Sequence, residues 1–403
     1  FQTQRGFANS DDLDIQLLEK LEQSGFTEIS SLQLSSPKKS HHSLAGQYLL
    51  SSYGVQEDIS TIIGGHHGRP IDTIEDVKNH LSNYFQNESK ESAIHKNWDL
   101  VQKEIFNCAL DEFGFDSVKE LPKIKQPAQV ILSGLLIMAD WIASNENYFP
   151  LLSVNEKEEV DKSRRLQDGF ERWKKTSLWQ PKYISKPDSL YKERFGFEPN
   201  NVQSILSHVI TQISKPGIVV LEAPMGLGKT EASLITAEQL ATKTGRSGLF
   251  FGLPTQATSN GIFNRIEKWV ESLKDDSEDI LSIQLVHGKA ALNEDFLKLK
   301  ANTFNFDDVE NGSVIINEWF SGRKTSALDD FVVGTVDQFL MLALKQKHLA
   351  LRHLGFSKKV VIIDEVHAYD AYMSQYLMEA IKWMGAYGVP VVILSATLPS
   401  QQR

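Results

Sequence analysis

The chain has 403 residues, of which 41% are hydrophobic and 23% are charged, so it can bury a substantial core in two or more domains. Its formal net charge of −10 argues against a protein that coats nucleic acid through bulk positive charge. The longest apolar run, residues 130–139, is broken by Ser133 and Gly134 and is too short for a membrane helix. The single cysteine, Cys108, fits a reducing compartment, and we expect a cytoplasmic protein without a membrane partner.

Residues 1–160 carry apolar side chains at spacings of three, four and seven, which predicts helices with few strands between them. The positions are Leu17, Leu18 and Leu21; Leu44, Ala45, Tyr48 and Leu49; and Ile131, Leu135, Met138 and Ile142.

Histidines and one acidic residue stand out in this helical part. On a helix, His42 shares the interior face with Leu49, and an imidazole there needs a partner. His66 and His67 lie among glycines, and Asp140 follows a run apolar enough to be buried, where an unpaired carboxylate is costly. Three imidazoles and a carboxylate suit a transition metal. The spacing alone leaves open that these are scattered histidines, each satisfied by its own neighbours.

Residues 161–186 carry eight basic and three acidic residues, interleaved with Phe170, Trp173, Trp179 and Tyr183. We place the domain boundary there, with domains at 1–160 and 191–403 and a basic aromatic linker at 161–190. The linker either guides a nucleic-acid strand or is a solvated helix whose tryptophans pack on a neighbouring domain. A second basic run, residues 345–359, has five basic residues and no acidic one.

From about residue 217, short apolar or β-branched runs alternate with amphipathic stretches of helix length. This alternation is typical of an α/β domain with a parallel, doubly wound sheet. The predicted strands are residues 218–221, 248–253, 314–316, 360–363 and 391–394.

The first of these strands leads into a glycine loop and a helix, which predicts a nucleotide-binding loop. The glycines let backbone N–H groups face phosphate oxygens, Lys229 supplies a charge for the β and γ phosphates, and Thr230 ligates Mg²⁺. An ordinary Gly-rich turn before a lysine is the alternative. The expected nucleotide-binding residues are Pro224, Met225, Gly226, Leu227, Gly228, Lys229 and Thr230.

The strand at 360–363 delivers two acidic residues at its carboxyl end, where ligands of open α/β sheets bind. Asp364 is expected to hold Mg²⁺, and Glu365 to orient and deprotonate the attacking water. His367 is expected to couple this site to its neighbours. A simple helix cap is the alternative for the acidic pair.

These segments resemble motifs I, II and III of superfamily-two helicases, the third being Ser395-Ala-Thr397. The sequence from Phe197 to Gln203 resembles the Q motif, in which Gln203 would contact the adenine edge and Phe197 would pack nearby. A loop packed on the sheet is the alternative for this segment.

Two further segments resemble helicase motifs that hold the backbone of a single strand. They contain Thr255 and Gln256, and Thr335 and Gln338, at the ends of predicted strands. Hydroxyl and amide groups suit phosphate oxygens, although helix capping by Thr255 and Thr335 remains open.

The order of the histidine segments, Asp140 and the helicase motifs resembles the HD-nuclease and helicase fusion of type I CRISPR systems. The resemblance implies an all-α HD-type domain followed by a RecA-like domain, and metal ligation by His42, His66, His67 and Asp140, with His41 less favoured than His42. The His-Asp doublet of the HD domain, an earlier histidine and the second RecA-like domain are absent from this sequence. We therefore expect a fragment that binds ATP poorly, does not translocate and lacks part of the metal site.

The same resemblance implies an ATP-dependent, 3′ to 5′ DNA helicase that translocates on single-stranded DNA and is fused to a metal-dependent endo- or exodeoxyribonuclease. Its cofactors would be ATP, Mg²⁺ and one or two ions of iron, manganese, cobalt or nickel. Its partners would be single-stranded DNA and an RNA-guided CRISPR surveillance complex at an R-loop. Two alternatives remain: a helicase with a catalytically silent HD-like platform, and a nucleotide-gated module that binds nucleic acid without hydrolysis.

Overall fold

A computed structural model describes residues 11–27, 29–31, 34, 41–68, 83, 85, 88–152, 161–275, 279–287, 290, 293, 296–297, 299, 314–322 and 324–398. The chain divides into two compact units, residues 1–172 and residues 173–403. The division falls inside the segment 161–190, and the three-part domain scheme based on that segment stays a prediction.

The described part of the first unit is helical and contains no strand, which confirms the predicted all-α fold. Its described helices are α1 (Asp11–Gln23), α2 (His42–Ser52), α3 (Glu57–Gly64), α4 (Ala93–Glu112), α5 (Gln126–Ala143) and α6 (Lys162–Trp173).

Small and polar residues bring the central helices of this unit together. Helix α2 packs against α3, and α3 packs against α5. Gly64 closes α3 so near to Gln47 of α2 that a Cβ atom at this position would lie 1.7 Å from Oε1 of Gln47. Helix α5 buries Gly134 and Ile137. By length and composition alone, α5 is also the one described helix that could span a membrane. The apolar run 130–139 was judged too short for this, but the whole helix is longer than that run.

The second unit is an α/β domain with a seven-stranded parallel sheet, as predicted. Its described helices are α7 (Ser189–Phe195), α8 (Asn201–Gln212), α9 (Lys229–Thr244), α10 (Gln256–Ser272), α11 (Asp337–Leu340), α12 (Leu349–Ser357) and α13 (Ala371–Tyr387). The strands are β1 (Ile218–Glu222), β2 (Leu249–Leu253), β3 (Leu281–Val286), β4 (Val314–Ile315), β5 (Phe331–Thr335), β6 (Val360–Ile363) and β7 (Val391–Ser395).

The strand order is β1-β7-β6-β2-β5-β3-β4, and every pair is parallel. Strands β2, β5 and β6 are buried along their whole length because helices cover both faces of the sheet. Parallel strands end at one common edge, so the loops after β1, β6, β2 and β5 lie on the same side of the domain.

Strand β3 was not among the predicted strands, although it lies in the interior of the sheet. Its sequence alternates apolar residues with Ser282 and Gln284, both of which are only 2% exposed. Ser282 donates to a carboxylate oxygen of Asp329, and Gln284 donates to the carbonyl of Asn317 at 3.0 Å. Buried polar residues with tertiary partners interrupt the apolar pattern on which the strand prediction depended.

The tryptophans of the basic aromatic segment pack inside the second unit. Trp179 is 6% exposed and its ring lies 6.2 Å from that of Trp269 and 5.4 Å from that of Phe331. Trp173 meets Trp319 edge to face at 5.6 Å. This geometry favours packing over base stacking for Trp179.

Candidate functional site

The loop after β1 has the backbone shape that phosphate binding requires. Gly226 and Gly228 have φ angles of 82° and 68°, a region that residues with a Cβ atom rarely adopt. The loop ends at Lys229, where α9 begins. The Lys229 ammonium donates to the carbonyl of Ala223 at 2.8 Å, and Pro224, Met225 and Leu227 line the loop's outer surface.

The segment before β1 is bonded directly to this loop. The side chain of Asn200 donates to the carbonyl of Leu227 at 3.1 Å, and Gln203 donates to the carbonyl of Gly228 at 3.2 Å. The carbonyl oxygen of the Gln203 side chain accepts from the N–H of Asn200, which caps α8. Gln203 is 2% exposed and both ends of its amide have protein partners, so its contact with adenine stays a prediction.

Phe197 lies beside this segment, 41% exposed. Its ring is stacked on Phe195 at 5.7 Å and lies 6.3 Å from Tyr191. A partly exposed ring held by two aromatic neighbours is compatible with the packing role predicted for it.

The acidic pair follows β6 in a tight turn. Asp364 donates its backbone N–H to the carbonyl of Gly252 at 2.9 Å, which continues the sheet for one more residue. Glu365 then takes a φ of 55°, a left-handed conformation that costs a non-glycine residue about 1–2 kcal/mol. Burial raises the pKa of Asp364 to about 6, and the neighbouring Lys229 opposes that rise.

Tyr369 stabilises this strained turn through its hydroxyl group. Its hydroxyl donates to the carbonyl of Asp364 at 2.9 Å, and the ring is 7% exposed. Burial raises the pKa of Tyr369 well above its ordinary value, so the hydroxyl stays a donor. Tyr369 is part of the same Asp-Glu-Val-His-Ala-Tyr-Asp segment, but its role was not predicted from the sequence.

His367 joins the acidic turn to the end of β7. Its Nε2 lies 3.0 Å from a carboxylate oxygen of Glu365, and its Nδ1 lies 3.2 Å from the hydroxyl of Ser395. Ser395 donates its only proton to the carbonyl of Thr397 at 2.8 Å, so Nδ1 of His367 must be the donor to Ser395. Nε2 of His367 therefore faces a carboxylate oxygen of Glu365 at a distance over which a proton can pass between the two groups.

The predicted strand-contact residues lie at the same edge, after β2 and β5. Thr255 caps α10 by accepting from the N–H of Thr258 at 3.2 Å, and Gln256 is the exposed first residue of that helix. Thr335 ends β5 and is 6% exposed, and Gln338 is half-buried in α11. Capping therefore accounts for the hydroxyl of Thr255, and strand contact by all four residues stays a prediction.

A polar cluster next to these residues was not predicted. The side-chain oxygen of Asn260 accepts from His287 Nε2 at 2.9 Å and from Asn293 at 3.0 Å. His287 follows β3 directly, so recognition of that strand would have placed it at the carboxyl edge of the sheet.

The first unit brings three of its predicted metal ligands together. Nε2 of His42 lies 2.9 Å from Nε2 of His66 and 3.1 Å from Nε2 of His67. His42 begins α2, and His66 and His67 follow the end of α3, so the contact of these two helices assembles the cluster. His41 lies outside it, which favours the predicted register at His42.

The three imidazoles fit a metal ion better than they fit one another. A ring nitrogen has one proton or one lone pair, so Nε2 of His42 cannot make two straight hydrogen bonds at once. Two nitrogens at about 2.1 Å from one ion and at right angles lie about 3.0 Å apart. Nδ1 of His66 lies 2.6 Å from the carbonyl of Ile63, and donation there leaves its Nε2 lone pair for a metal.

Asp140 does not join this cluster among the described residues. It follows the buried Ile137 by three positions, which places it on the face of α5 that contacts α3. Its role as a fourth ligand stays a prediction, and Arg69 and Pro70 of the His-His-Gly segment lie outside the described residues.

Comparisons with known proteins agree with this arrangement. Residues 1–149 match the family model "Cas3, HD domain", and residues 203–403 match "DEAD/DEAH box helicase". The whole chain is 70% identical to the CRISPR-associated nuclease/helicase Cas3 of Streptococcus thermophilus and covers 44% of that protein.

Solved structures give the same result. The crystal structure of T. fusca Cas3 matches with a TM-score of 0.71 and 28% identity, over 93% of this chain and 42% of that one. A chain of a structure described as "CRISPR RNA-guided surveillance complex, pre-nicking" matches with a TM-score of 0.58 and 25% identity, over 96% of this chain and 40% of that one.

The chain thus spans less than half the length of the relatives it matches. An HD domain with a three-histidine cluster precedes a DEAD/DEAH helicase domain in a single chain. This chain belongs to the Cas3 nuclease/helicase family of CRISPR-associated proteins.

Proposed function

We propose that this chain supplies the HD nuclease and first motor domain of a longer, cytoplasmic, ATP-dependent 3′ to 5′ DNA helicase that degrades single-stranded DNA in CRISPR interference. The observation that carries the proposal is the convergence of His42, His66 and His67, because a helicase motor alone has no use for it.

In the motor, each side chain has one task. Backbone N–H groups of the glycine loop and Lys229 bind the phosphates of ATP, while Thr230 and Asp364 hold Mg²⁺. Glu365 orients the attacking water and takes its proton, and His367 shares that proton across the 3.0 Å contact. Gln203 ties the nucleotide-recognition segment to the loop through Gly228.

In the HD-type domain, His42, His66 and His67 would hold a divalent iron, manganese, cobalt or nickel ion, with Asp140 as a further ligand. When bound, the ion supplies a Lewis acid beside the scissile phosphate. The histidines orient it through their Nε2 atoms, and the carbonyl of Ile63 fixes the tautomer of His66.

The partners we propose are single-stranded DNA, held at the carboxyl edge of the sheet, and an RNA-guided CRISPR surveillance complex with its R-loop formed. The likeness to a chain of such a complex supports the second of these.

ATP hydrolysis by the full-length protein tests the motor. Lys229→Ala and Glu365→Gln should each lower the turnover rate by about 100-fold or more. Lys243→Ala is the matched control, because Lys243 lies on the same helix and donates only to the carbonyls of Thr211 and Ile213. Undiminished turnover in both site variants would refute the motor and favour a module that binds nucleotide without hydrolysis.

Metal content tests the HD-type domain against the alternative of a silent platform. His67→Ala should lose bound Mn²⁺ or Ni²⁺, and His95→Ala, whose ring is stacked on Phe85 at 4.0 Å, should retain it. Equal metal content in the wild type and both variants would favour the platform.

A further inference from the structure

The basic run at residues 345–359 divides into cations with different environments. Lys358 pairs with Asp330, and Lys359, which is 1% exposed, donates to the carbonyls of Ala327 and Gly355 at 2.7 Å each. Both lysines therefore have structural partners away from the carboxyl edge of the sheet. Arg352, in the middle of the run, donates its hydrogen bonds to a different part of the domain.

Arg352 donates twice to one residue, Gln338. Its Nη1 lies 2.8 Å from the backbone carbonyl of Gln338 and 3.2 Å from the side-chain oxygen of the same residue. Within the described part of the chain, Arg352 has no carboxylate at ion-pair distance, and burial lowers its pKa to about 10. Arg352 remains a cation at neutral pH, and both oxygens that accept its hydrogen bonds are uncharged.

This contact fixes which end of the Gln338 amide faces Arg352. A guanidinium has only donors, so the amide atom that faces it must be Oε1. The Nε2 group then points away from Arg352 with its two N–H donors. Such a group binds acceptors, and the oxygens of a phosphate backbone are the acceptors that every nucleotide presents.

We propose that Arg352 is a positioning residue that holds Gln338 with its amide N–H groups toward the phosphate backbone of the bound single strand. The inference rests on the proposed strand contact of Gln338 and adds its orientation and its chemical preference. Contact through donors alone is independent of base sequence, as a translocating motor requires.

The test is the affinity of the full-length protein for a fluorescein-labelled oligothymidylate, measured by fluorescence anisotropy together with ATP turnover. Arg352→Lys keeps the charge and loses the double contact, and should weaken binding by about fivefold. ATP turnover in the absence of the strand should not change. Gln338→Ala should weaken binding by as much, and the double variant should lose no more than either single variant.

Arg246→Lys is the matched control for loss of a guanidinium. Among the described residues, Arg246 donates to backbone carbonyls alone, those of Ser357, Tyr387 and Gly388, at 2.6–3.0 Å. This substitution should lower the thermal midpoint without changing strand affinity. A loss of affinity equal to that of Arg352→Lys would show a general structural effect and overturn the inference.

Gln338→Glu keeps the inference testable if Arg352→Lys fails to fold. Glutamate retains an oxygen for Arg352 and removes the outward donors, so we expect an unchanged or raised thermal midpoint with lower strand affinity. If Gln338→Ala leaves affinity unchanged, the proposed contact itself fails and the inference with it. If Gln338→Ala weakens binding and Arg352→Lys does not, the contact stands and only the positioning role is refuted.

Discussion

At the scale of single residues, the chemistry of the motor depends on side chains that hold others in place. Glu365 adopts a left-handed backbone conformation, and such strain persists only where neighbouring contacts maintain it. The hydroxyl of Tyr369 provides one of these contacts, through the carbonyl of Asp364. Tyr369 therefore helps to position the Glu365 carboxylate through the backbone of the preceding residue.

Removal of that hydroxyl should slow hydrolysis without weakening nucleotide binding. We expect Tyr369→Phe to lower kcat for ATP hydrolysis about 3- to 10-fold, which corresponds to the free energy of one buried hydrogen bond. The KM for ATP should be unchanged. Tyr387→Phe is the matched control, because it removes a buried hydroxyl that donates to Nδ1 of His353 at 2.9 Å, a contact formed away from the acidic turn. Equal kcat values for the two variants would contradict the bracing role.

Asp329 makes the stability of the motor domain dependent on pH. It is fully buried, and its Oδ1 accepts from Ser282 and from the N–H of Asp330, whereas its Oδ2 has no hydrogen-bond partner among the residues that the structure describes. Burial, and then the charge of Asp330, raise its pKa from 3.8 to about 6, against the opposing effects of Ser282, Lys358 and Gln284.

A raised pKa means that the folded state binds the proton more tightly than the unfolded state. The resulting stabilisation is complete below about pH 4 and is lost as the pH rises through about 6. It amounts to at most about 3 kcal/mol for a shift of about two units. Denaturant unfolding of the wild type and Asp329→Asn at pH 4.5 and pH 7.5 measures it. We expect the variant to gain stability relative to the wild type at the higher pH, and the same difference at both pH values would exclude the effect.

Much of the site was predictable at this scale because its chemistry is local in sequence. The glycine loop, the acidic pair and the adjacent His66 and His67 are each continuous in sequence, whereas His42 joins the two histidines only through the contact of α2 with α3. Arg352 and Tyr369 were not predictable, since an arginine in a basic run and a tyrosine in a motif acquire their roles only through tertiary contacts.

At the scale of elements, the metal cluster depends on how closely two helices approach. His42 begins α2, and His66 follows α3, whose last residue, Gly64, lies against Gln47 of α2. A Cβ atom at this position would lie 1.7 Å from Oε1 and 3.0 Å from Cβ of Gln47, so any larger residue must displace the Gln47 side chain.

Gly64→Ala should therefore separate α2 from α3 and weaken metal binding without removing a ligand. We expect about a tenfold loss of Mn²⁺ or Ni²⁺ affinity, by analogy with changes that misplace ligands from the second shell. Gly46→Ala is the control, because its Cβ atom would meet only the Cγ2 methyl group of Ile63, at 3.3 Å. Titration of the metal-free protein by calorimetry measures both, and equal affinities would show that the helix contact does not set the cluster.

Strands in which buried polar residues alternate with apolar ones are difficult to predict from the pattern of hydrophobic residues. The fully apolar strands β2 and β6 were predicted within one residue, whereas β3 was not, because Ser282 and Gln284 find partners only in the folded sheet. His287, at the end of β3, was missed for the same reason.

At the scale of the whole molecule, the two proposed chemistries fall in different units. The cluster of histidine nitrogens lies in residues 1–172, and the proposed nucleotide site lies in residues 173–403. The order of these units along the chain could be predicted because their sequence patterns differ. The first has apolar residues at helical spacings, and the second alternates short apolar runs with amphipathic stretches of helix length. The convergence of the three histidines is seen among the described residues, whereas Asp140 as a further ligand stays a prediction.

The central claim is that the histidine cluster holds the metal of a nuclease. Its most direct test is degradation of labelled single-stranded DNA by the full-length protein in Mn²⁺ or Ni²⁺ without ATP, beside His67→Ala and the control His95→Ala. We predict that the wild type and His95→Ala degrade the strand and that His67→Ala does not. Equal degradation by all three proteins, or by none, would contradict the claim.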